Sequence, residues 1–294
     1  MVTFAPDMPE ADYRAWPLPS WSAVKGLLDM CPAQWRHEQD APRTESAVMI
    51  WGTLLHAAVL EPHRLAEMIC EPVTVGRDAS GKLWTHTAAN GETWRLKEEA
   101  TTAAQAATPQ GRYPVAPALM DDLRQRAAVA AALLPVGALR EVALRGSIEG
   151  QPCKGKADAL GGMTLDVKTT ADVSPRAIQR AAIDRHWYGQ LWTYGELARQ
   201  NGHDPGPCVI LVVQAPHLTH AGGVLDLADR HQPRAHARLL TLDADAVAHG
   251  RREALQAWRT YRDCVLLDQW PDWQDTSLSV PRWAMTDAPA EDVW

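Results

Sequence analysis

The sequence predicts an α/β fold in one domain with helical additions, and three stretches carry that prediction. Residues 141–170, EVALRGSIEGQPCKGKADALGGMTLDVKTT, read as an antiparallel meander of three strands. Residues 174–202, SPRAIQRAAIDRHWYGQLWTYGELARQNG, read as one long amphipathic helix, with Pro175 near its start and Gly202 past its end. CVILVVQAP, from residue 208, is an unbroken apolar run of strand length, the mark of a central strand covered on both faces.

The other elements follow along the chain. Residues 1–19 read as an irregular lead-in. LPSWSAVKGLLDMCPAQWRHE offers Ser20 and Ser22 as helix caps, then apolar residues at helical spacing until Pro32 restarts the chain. AVMIWGTLLHAAVLEP is a nearly all-apolar helix, ended by Pro62, that must be buried, and it carries one histidine, His56. Residues 71–96 are strand-like and turn-rich, suited to a hairpin or surface excursion; 97–107 and 117–134 are alanine-rich helices separated by PQGRYP. Beyond the central strand come a strand-rich stretch, the helix ADAVAHGRREALQAWRTYRDCVLL and an extended, acidic, tryptophan-bearing tail.

Composition narrows the class. A hydrophobic content of 46% is ordinary for a soluble globular chain of 294 residues, and no apolar run approaches the ~20 residues of a membrane helix, so no membrane partner is expected. The acidic, proline-containing start does not read as a secretory signal. The five cysteines are scattered without a CxxC pair, which excludes an obvious zinc or iron–sulfur ligand set, gives no disulfide framework and makes a cytoplasmic location the expectation. Thirteen tryptophans stand against a single phenylalanine, so tryptophan must carry much of the aromatic packing. A net charge of −7 requires that any nucleic-acid contact use locally concentrated Lys and Arg.

The meander holds the most informative chemistry. Met163, Leu165 and Val167 alternate with Thr164, Asp166 and Lys168; Lys154, Lys156 and Asp158 alternate with Gly155, Ala157 and Ala159. Gly161-Gly162 marks the turn. A two-residue turn would put Asp158 and Asp166 on opposite faces. A three-residue turn with a glycine bulge pairs Ala157 with Val167 and Ala159 with Leu165, so that Asp158, Asp166 and Lys168 share one face. Only that register agrees with the burial pattern. Two carboxylates and a lysine held together suit a divalent metal, although cross-strand Lys–Asp pairs also occur on plain sheet surfaces at about 0.2–1 kcal/mol each.

Four features now fall in order: GTLLH ending in His56, GKAD ending in Asp158, DVKTT with Asp166 and Lys168, and QLWTY with Gln190 and Tyr194 four residues apart on one helix face. In this order and spacing the chain resembles the PD-(D/E)XK nuclease superfamily, and most closely its RecE-type phage and prophage exonucleases, in the RecB and lambda-exonuclease branch. SWSAVKGLLDMCPAQW, the LEP after His56 and the closing VPRWA extend the likeness. It implies a mixed central sheet flanked by helices, with helical N-terminal additions. The domain spans 20–285, a helical part with its hairpin excursion over 20–135 and the catalytic core over 136–285, followed by an acidic tail at 286–294.

By this resemblance Asp158 bridges metals, Asp166 coordinates metal with the Val167 backbone carbonyl, Lys168 is the catalytic lysine, His56 adds a nitrogen ligand, and Gln190 and Tyr194 lie beside the scissile strand. Oxygen ligands select Mg²⁺, with Mn²⁺ acceptable because of the imidazole. Around this set Glu141 reads as a further acid near the metals or, more simply, a solvated strand end. Lys154 and Lys156 either hold phosphate or balance the carboxylates, and Arg176, Arg180 and Arg185 contact the DNA backbone or line a solvated face. The resemblance implies an exodeoxyribonuclease that digests linear duplex DNA from its ends, 5′ to 3′, as a ring-shaped homo-oligomer, tetramer favoured, beside a single-strand annealing protein of the RecT type. A Cas4- or RecB-like single-strand nuclease and an inactive DNA-end-binding module are the alternatives; the intact His56–Asp158–Asp166–Lys168 set argues against the second.

Overall fold

The computed structural model describes residues 3–41, 44–72, 108–221, 223–229 and 231–274, with two short strands at 86–87 and 93–94. Numbered along the chain, the strands are β1 (Thr3–Ala5), β2 (Ile69–Cys70), β3 (His86–Thr87), β4 (Thr93–Trp94), β5 (Tyr113–Pro114), β6 (Leu139–Ile148), β7 (Gln151–Leu160), β8 (Thr164–Thr170), β9 (Cys208–Gln214), β10 (Leu218–Ala221), β11 (Val224–Leu227) and β12 (Ala237–Thr241). Six of them form one mixed sheet in the order β1-β6-β7-β8-β9-β12, in which β8 and β9 run parallel and every other neighbour antiparallel. A parallel pair needs a crossover connection, and here helices supply it.

Those helices are α1 (Glu10–Ala15), α2 (Trp21–Val24), α3 (Pro32–Asp40), α4 (Ala47–Leu60), α5 (Pro62–Met68), α6 (Pro117–Ala131), α7 (Pro175–Asp184), α8 (Trp187–Gln200) and α9 (Ala244–Leu267), with a 3-10 turn at Lys25–Leu28. β9 shows why two helical layers are needed. Its Val209, Leu211 and Val213 pack with Leu54, Leu55 of α4 and Leu119, Leu123 of α6, while Ile210 and Val212 pack with Trp187 and Leu191 of α8. The central strand is covered on both faces, as its unbroken apolar run predicts. Helix α4 starts where the Ser46 hydroxyl accepts from the Met49 N–H and stops before Pro62; seven of its fourteen residues are buried. Trp21, Trp51 and Trp258 are among the largest fully buried side chains, so tryptophan does fill the core. Among the described residues no helix is long and apolar enough to cross a membrane.

Three expectations need correction. The lead-in is not irregular: Thr3–Ala5 pairs with Ala143–Arg145 as the edge strand of the main sheet, and α1 follows it. The expected long helix is two, broken at Arg185–His186, where His186 takes φ 57° and ψ 42°. The β7–β8 turn has the predicted three residues, Gly161 (φ 137°), Gly162 (φ 72°) and Met163, and pairs Ala159 with Leu165, but the ladder ends there and Ala157 does not pair with Val167. The expected helix at 97–107 and the closing VPRWA lie outside the described residues; of the 71–96 excursion, β3 and β4 form an antiparallel pair.

Candidate active site

The ladder between β7 and β8 stops because a carboxylate takes over its hydrogen bonding. Asp158 Oδ2 accepts from the Val167 backbone N–H at 2.5 Å, in place of a strand carbonyl. β7 changes sides at this residue: Ala157 belongs to the core under Tyr194 and Leu197, whereas Ala159 belongs to the core under α4 and α6. Asp158 therefore sits in an opening of the sheet rather than on the single face the alternation predicts.

Asp166 and Lys168 point to the α8 side of that opening. Lys168 Nζ lies 2.5 Å from Asp166 Oδ2 and donates to Gln190 Oε1 at 2.8 Å. Gln190 Nε2 donates to Asp166 Oδ1 at 3.0 Å and to the Tyr194 hydroxyl at 2.8 Å, so one amide bridges acid, lysine and phenol. The i, i+4 spacing makes this possible. Gly155 on β7 allows the approach of α8, because a Cβ there would stand 2.9 Å from the Tyr194 ring.

From the other side, α4 brings His56. Its Nε2 lies 2.7 Å from Asp158 Oδ2 and its Nδ1 3.6 Å from Glu141 Oε1. Glu141 is not a solvated strand end but is 5% exposed, and its other oxygen contacts Lys156 Nζ. A signal for this was present in the sequence. Glu149-Gly150 is a two-residue turn with both φ positive (53° and 78°), which fixes the β6–β7 register; Arg140 pairs with Ala159 and Val142 with Ala157, so Glu141 faces Asp158.

The structure thus brings together His56, Asp158, Asp166, Val167, Lys168, Gln190 and Tyr194, and adds Glu141. The flanking cations divide. Lys156 balances carboxylates, with Glu10 Oε2 at 3.2 Å besides Glu141. Lys154 is held by the Tyr13, Arg14 and Trp16 carbonyls at the end of α1, so it does not hold phosphate. Ser20 precedes α2 without a side-chain capping bond and shares a 2.9 Å hydroxyl contact with Ser22. Arg176 is exposed, Arg180 faces Asp184 at 3.4 Å, and Arg185 reaches the Thr169 carbonyl at 3.4 Å.

The charges are strongly coupled. Burial opposes a charge on His56, but Asp158 and Glu141 outweigh it and raise its pKa to about 10, so the imidazole is a cation beside its carboxylates. Burial pushes Asp166 up to about 6 against the pull of Lys168, with the like charge of Asp158 adding to the rise. Burial would raise Glu141 too, yet His56 and Lys156 hold it below its usual range.

One ligand atom from each of His56, Glu141 and Asp158 falls within 4.8 Å of the others, a spacing that fits a metal ion. Glu141 Oε1 and Asp166 Oδ2 are buried carboxylate oxygens without a well-directed hydrogen bond, offset by His56 Nδ1 at 3.6 Å and Lys168 Nζ at 2.5 Å. Carboxylates buried this close together are costly unless cations offset them, and a divalent ion would add to what these two side chains supply. The oxygen-rich set with one imidazole suits a hard or borderline divalent cation.

A mixed sheet whose hairpin presents two aspartates and a lysine, backed by a glutamine-bearing helix, is the architecture of the PD-(D/E)XK nuclease fold. The sequence pattern of the family described as "PDDEXK-like domain of unknown function (DUF3799)" matches residues 20–222, and the chain belongs to that family. No curated protein matches it in sequence. Among solved structures it is similar to a crystal structure from Eubacterium rectale, of a protein described provisionally as an exonuclease, at 12% identity and a TM-score of 0.47, covering 94% of this chain and 97% of that one. At that score the likeness carries no argument.

Proposed function

We propose that this protein is a Mg²⁺-dependent exodeoxyribonuclease of RecE-like type, acting on linear duplex DNA from its ends. The observation that carries the reading is the joint placement of Asp158, Asp166 and Lys168 beside His56 and Glu141, with one ligand atom each of His56, Glu141 and Asp158 within 4.8 Å of the others. His56, once it has given up its proton, is assigned with Glu141, Asp158, Asp166 and the Val167 carbonyl as the metal's ligands. A divalent ion bound there supplies Lewis acidity to the phosphate and lowers the pKa of bound water.

The chain's own groups do the rest. Asp158, held by the Val167 N–H and His56, is fixed in orientation before any ligand arrives. Lys168, steadied by Asp166 and Gln190, places an ammonium where it can orient the attacking water or meet negative charge on the phosphoryl oxygens. Gln190 keeps that lysine and Asp166 in register, and Tyr194 closes the wall behind it. Water adds to phosphorus, the P–O bond to the leaving oxygen breaks, and that oxygen takes up a proton.

The motif resemblance to RecE-type exonucleases is what supports digestion from 5′ to 3′, leaving 3′ single strands for an annealing protein of the RecT type, and a ring-shaped oligomer. The experiment is incubation of the protein and Mg²⁺ with linear duplexes labelled at the 5′ or the 3′ end, beside covalently closed circles. Early loss of the 5′ label with intact circles is expected. Nicked or linearised circles would refute end dependence, and early loss of the 3′ label would reverse the polarity.

A further inference from the structure

The break between α7 and α8 is held from three directions. His186 is left-handed at φ 57°, a conformation uncommon for any residue but glycine, although histidine, asparagine and aspartate adopt it more readily than other side chains. Its Nδ1 lies 2.7 Å from Glu253 Oε1 on α9 and its Nε2 3.0 Å from Asp29 Oδ2 after the 3-10 turn. Its carbonyl accepts from the Trp21 indole at 3.2 Å. Glu253, only 8% exposed, uses its second oxygen to accept from the Gly189 N–H at 3.1 Å.

The packing around the break leaves little room for α8 to shift. A Cβ on Gly189 would lie 2.4 Å from the Trp21 ring, and one on Gly250 would lie 2.3 Å from the Tyr188 carbonyl. His249 stands on the same carboxylate, Nε2 to Glu253 Oε1 at 3.3 Å.

This clamp lies one helical turn before the amide that bridges the site. The Gln190 backbone N–H donates to the His186 carbonyl at 3.3 Å, so the direction of that carbonyl sets the rotation of the first turn of α8. That rotation decides whether the Gln190 side chain meets Asp166, Lys168 and Tyr194. A helix continuing unbroken from α7 would follow a different path and carry Gln190 elsewhere.

We infer that His186, clamped by Glu253 and Asp29, is a positioning residue that aims Gln190 at the Asp166–Lys168 pair. The inference rests on the nuclease reading for its effect on rate, but not for its effect on Gln190 itself. The test is a double-mutant cycle on Mg²⁺-dependent digestion of linear duplex, using wild type, H186N, Q190A and the double variant. Asparagine tolerates the left-handed backbone and loses the ring contacts.

H186N should lower kcat by about tenfold or more, the scale of a small misplacement at an active site. KM should stay near wild type, and the double variant should be no slower than Q190A alone, as expected when one residue acts through the other. Losses that multiply in the double variant, or a change in KM alone, overturn the inference. If H186N fails to fold, D29N, which alters only an exposed carboxylate, decides. It should show a smaller kcat loss that Q190A again absorbs; full activity in D29N overturns the inference.

A second readout is independent of catalysis. The Gln190 side-chain amide resonances, assigned by their loss in Q190A, should shift in both H186N and D29N; unshifted resonances overturn the inference. If the wild type cleaves no DNA, the nuclease reading falls while the amide resonances still decide the positioning.

Discussion

Asp166 and Lys168 are two residues apart and touch each other, yet their removal should have different consequences. Asp166→Ala removes a proposed metal ligand, so Mn²⁺ affinity and cleavage should both collapse. Lys168→Ala leaves the ligands in place, so calorimetric titration should show Mn²⁺ still bound while cleavage stops. Unchanged metal binding in Asp166→Ala would remove its assigned role. Glu141→Gln should likewise weaken metal binding, because Glu141 offers a ligand atom within 4.8 Å of those of His56 and Asp158; unaltered affinity would return Glu141 to a purely structural place.

His56 gives the pH dependence. In metal-free protein its pKa is raised to about 10, against roughly 6.5 in the unfolded chain. A raised pKa means that the folded state favours the protonated form. The resulting stability is complete below about pH 6.5 and is lost as pH rises through about 10. With chelator present, the difference in melting temperature between wild type and His56→Gln should therefore shrink from pH 7 to pH 10. A constant difference would mean that the imidazolium is not what holds Asp158 and Glu141 together. Asp166, pushed up to about 6, has the same sign at lower pH: its contribution declines between about pH 4 and pH 6.

Elements differ in how much of them the sequence discloses. The three-residue turn after Leu160, the doubly covered β9 and the full span of α9 were legible, because glycine pairs, unbroken apolar runs and helical periodicity are local signals. The pairing of Gln190 with Tyr194 was legible for the same reason; the nearness of Asp158, Asp166 and Lys168 was expected from one shared face, which gave way to an opening of the sheet at Asp158. The break at His186 was not, since its causes, Trp21, Asp29 and Glu253, lie far away in sequence. Nor was the change of side at Asp158, which depends on its carboxylate displacing a strand carbonyl. Glu141 lay between these cases: its register was readable from the Glu149-Gly150 turn, its burial was not.

The approach of α8 to β7 gives a prediction at this scale. Gly155→Ala would place a methyl 2.9 Å from the Tyr194 ring, pushing α8 outward at the Gln190–Tyr194 face. Overpacking of this kind typically costs about 1–3 kcal/mol. Urea unfolding should show a loss of that order, with cleavage reduced further than the stability loss alone would reduce it. A variant as stable and active as wild type would show that α8 is free to move without harm to the site.

For the whole molecule the proposed activity raises the question of how a chain of net charge −7 would hold DNA. Each phosphate neutralised on duplex DNA adds about −0.9 to the log–log salt slope, so affinity built on basic contacts needs many of them. Among the described residues, Lys154 and Lys156 beside the site are already engaged by carbonyls or carboxylates. Enclosure of the duplex by a ring of subunits would let a few contacts per subunit suffice. A tetramer by light scattering, and digestion that continues after a competitor-DNA trap is added, are the expected results; a monomer that stops at once would defeat enclosure and leave the site chemistry untouched.

The proposed activity is hydrolysis of DNA by the residues gathered around Asp158, with a divalent metal. Its most direct measurement is release of acid-soluble nucleotide from linear duplex when Mg²⁺ is added to chelator-treated wild type and to Lys168→Ala. Release is expected only from the wild type and only after the metal is added. Release without metal, an equal rate in Lys168→Ala, or no release from the wild type with either Mg²⁺ or Mn²⁺ would contradict it.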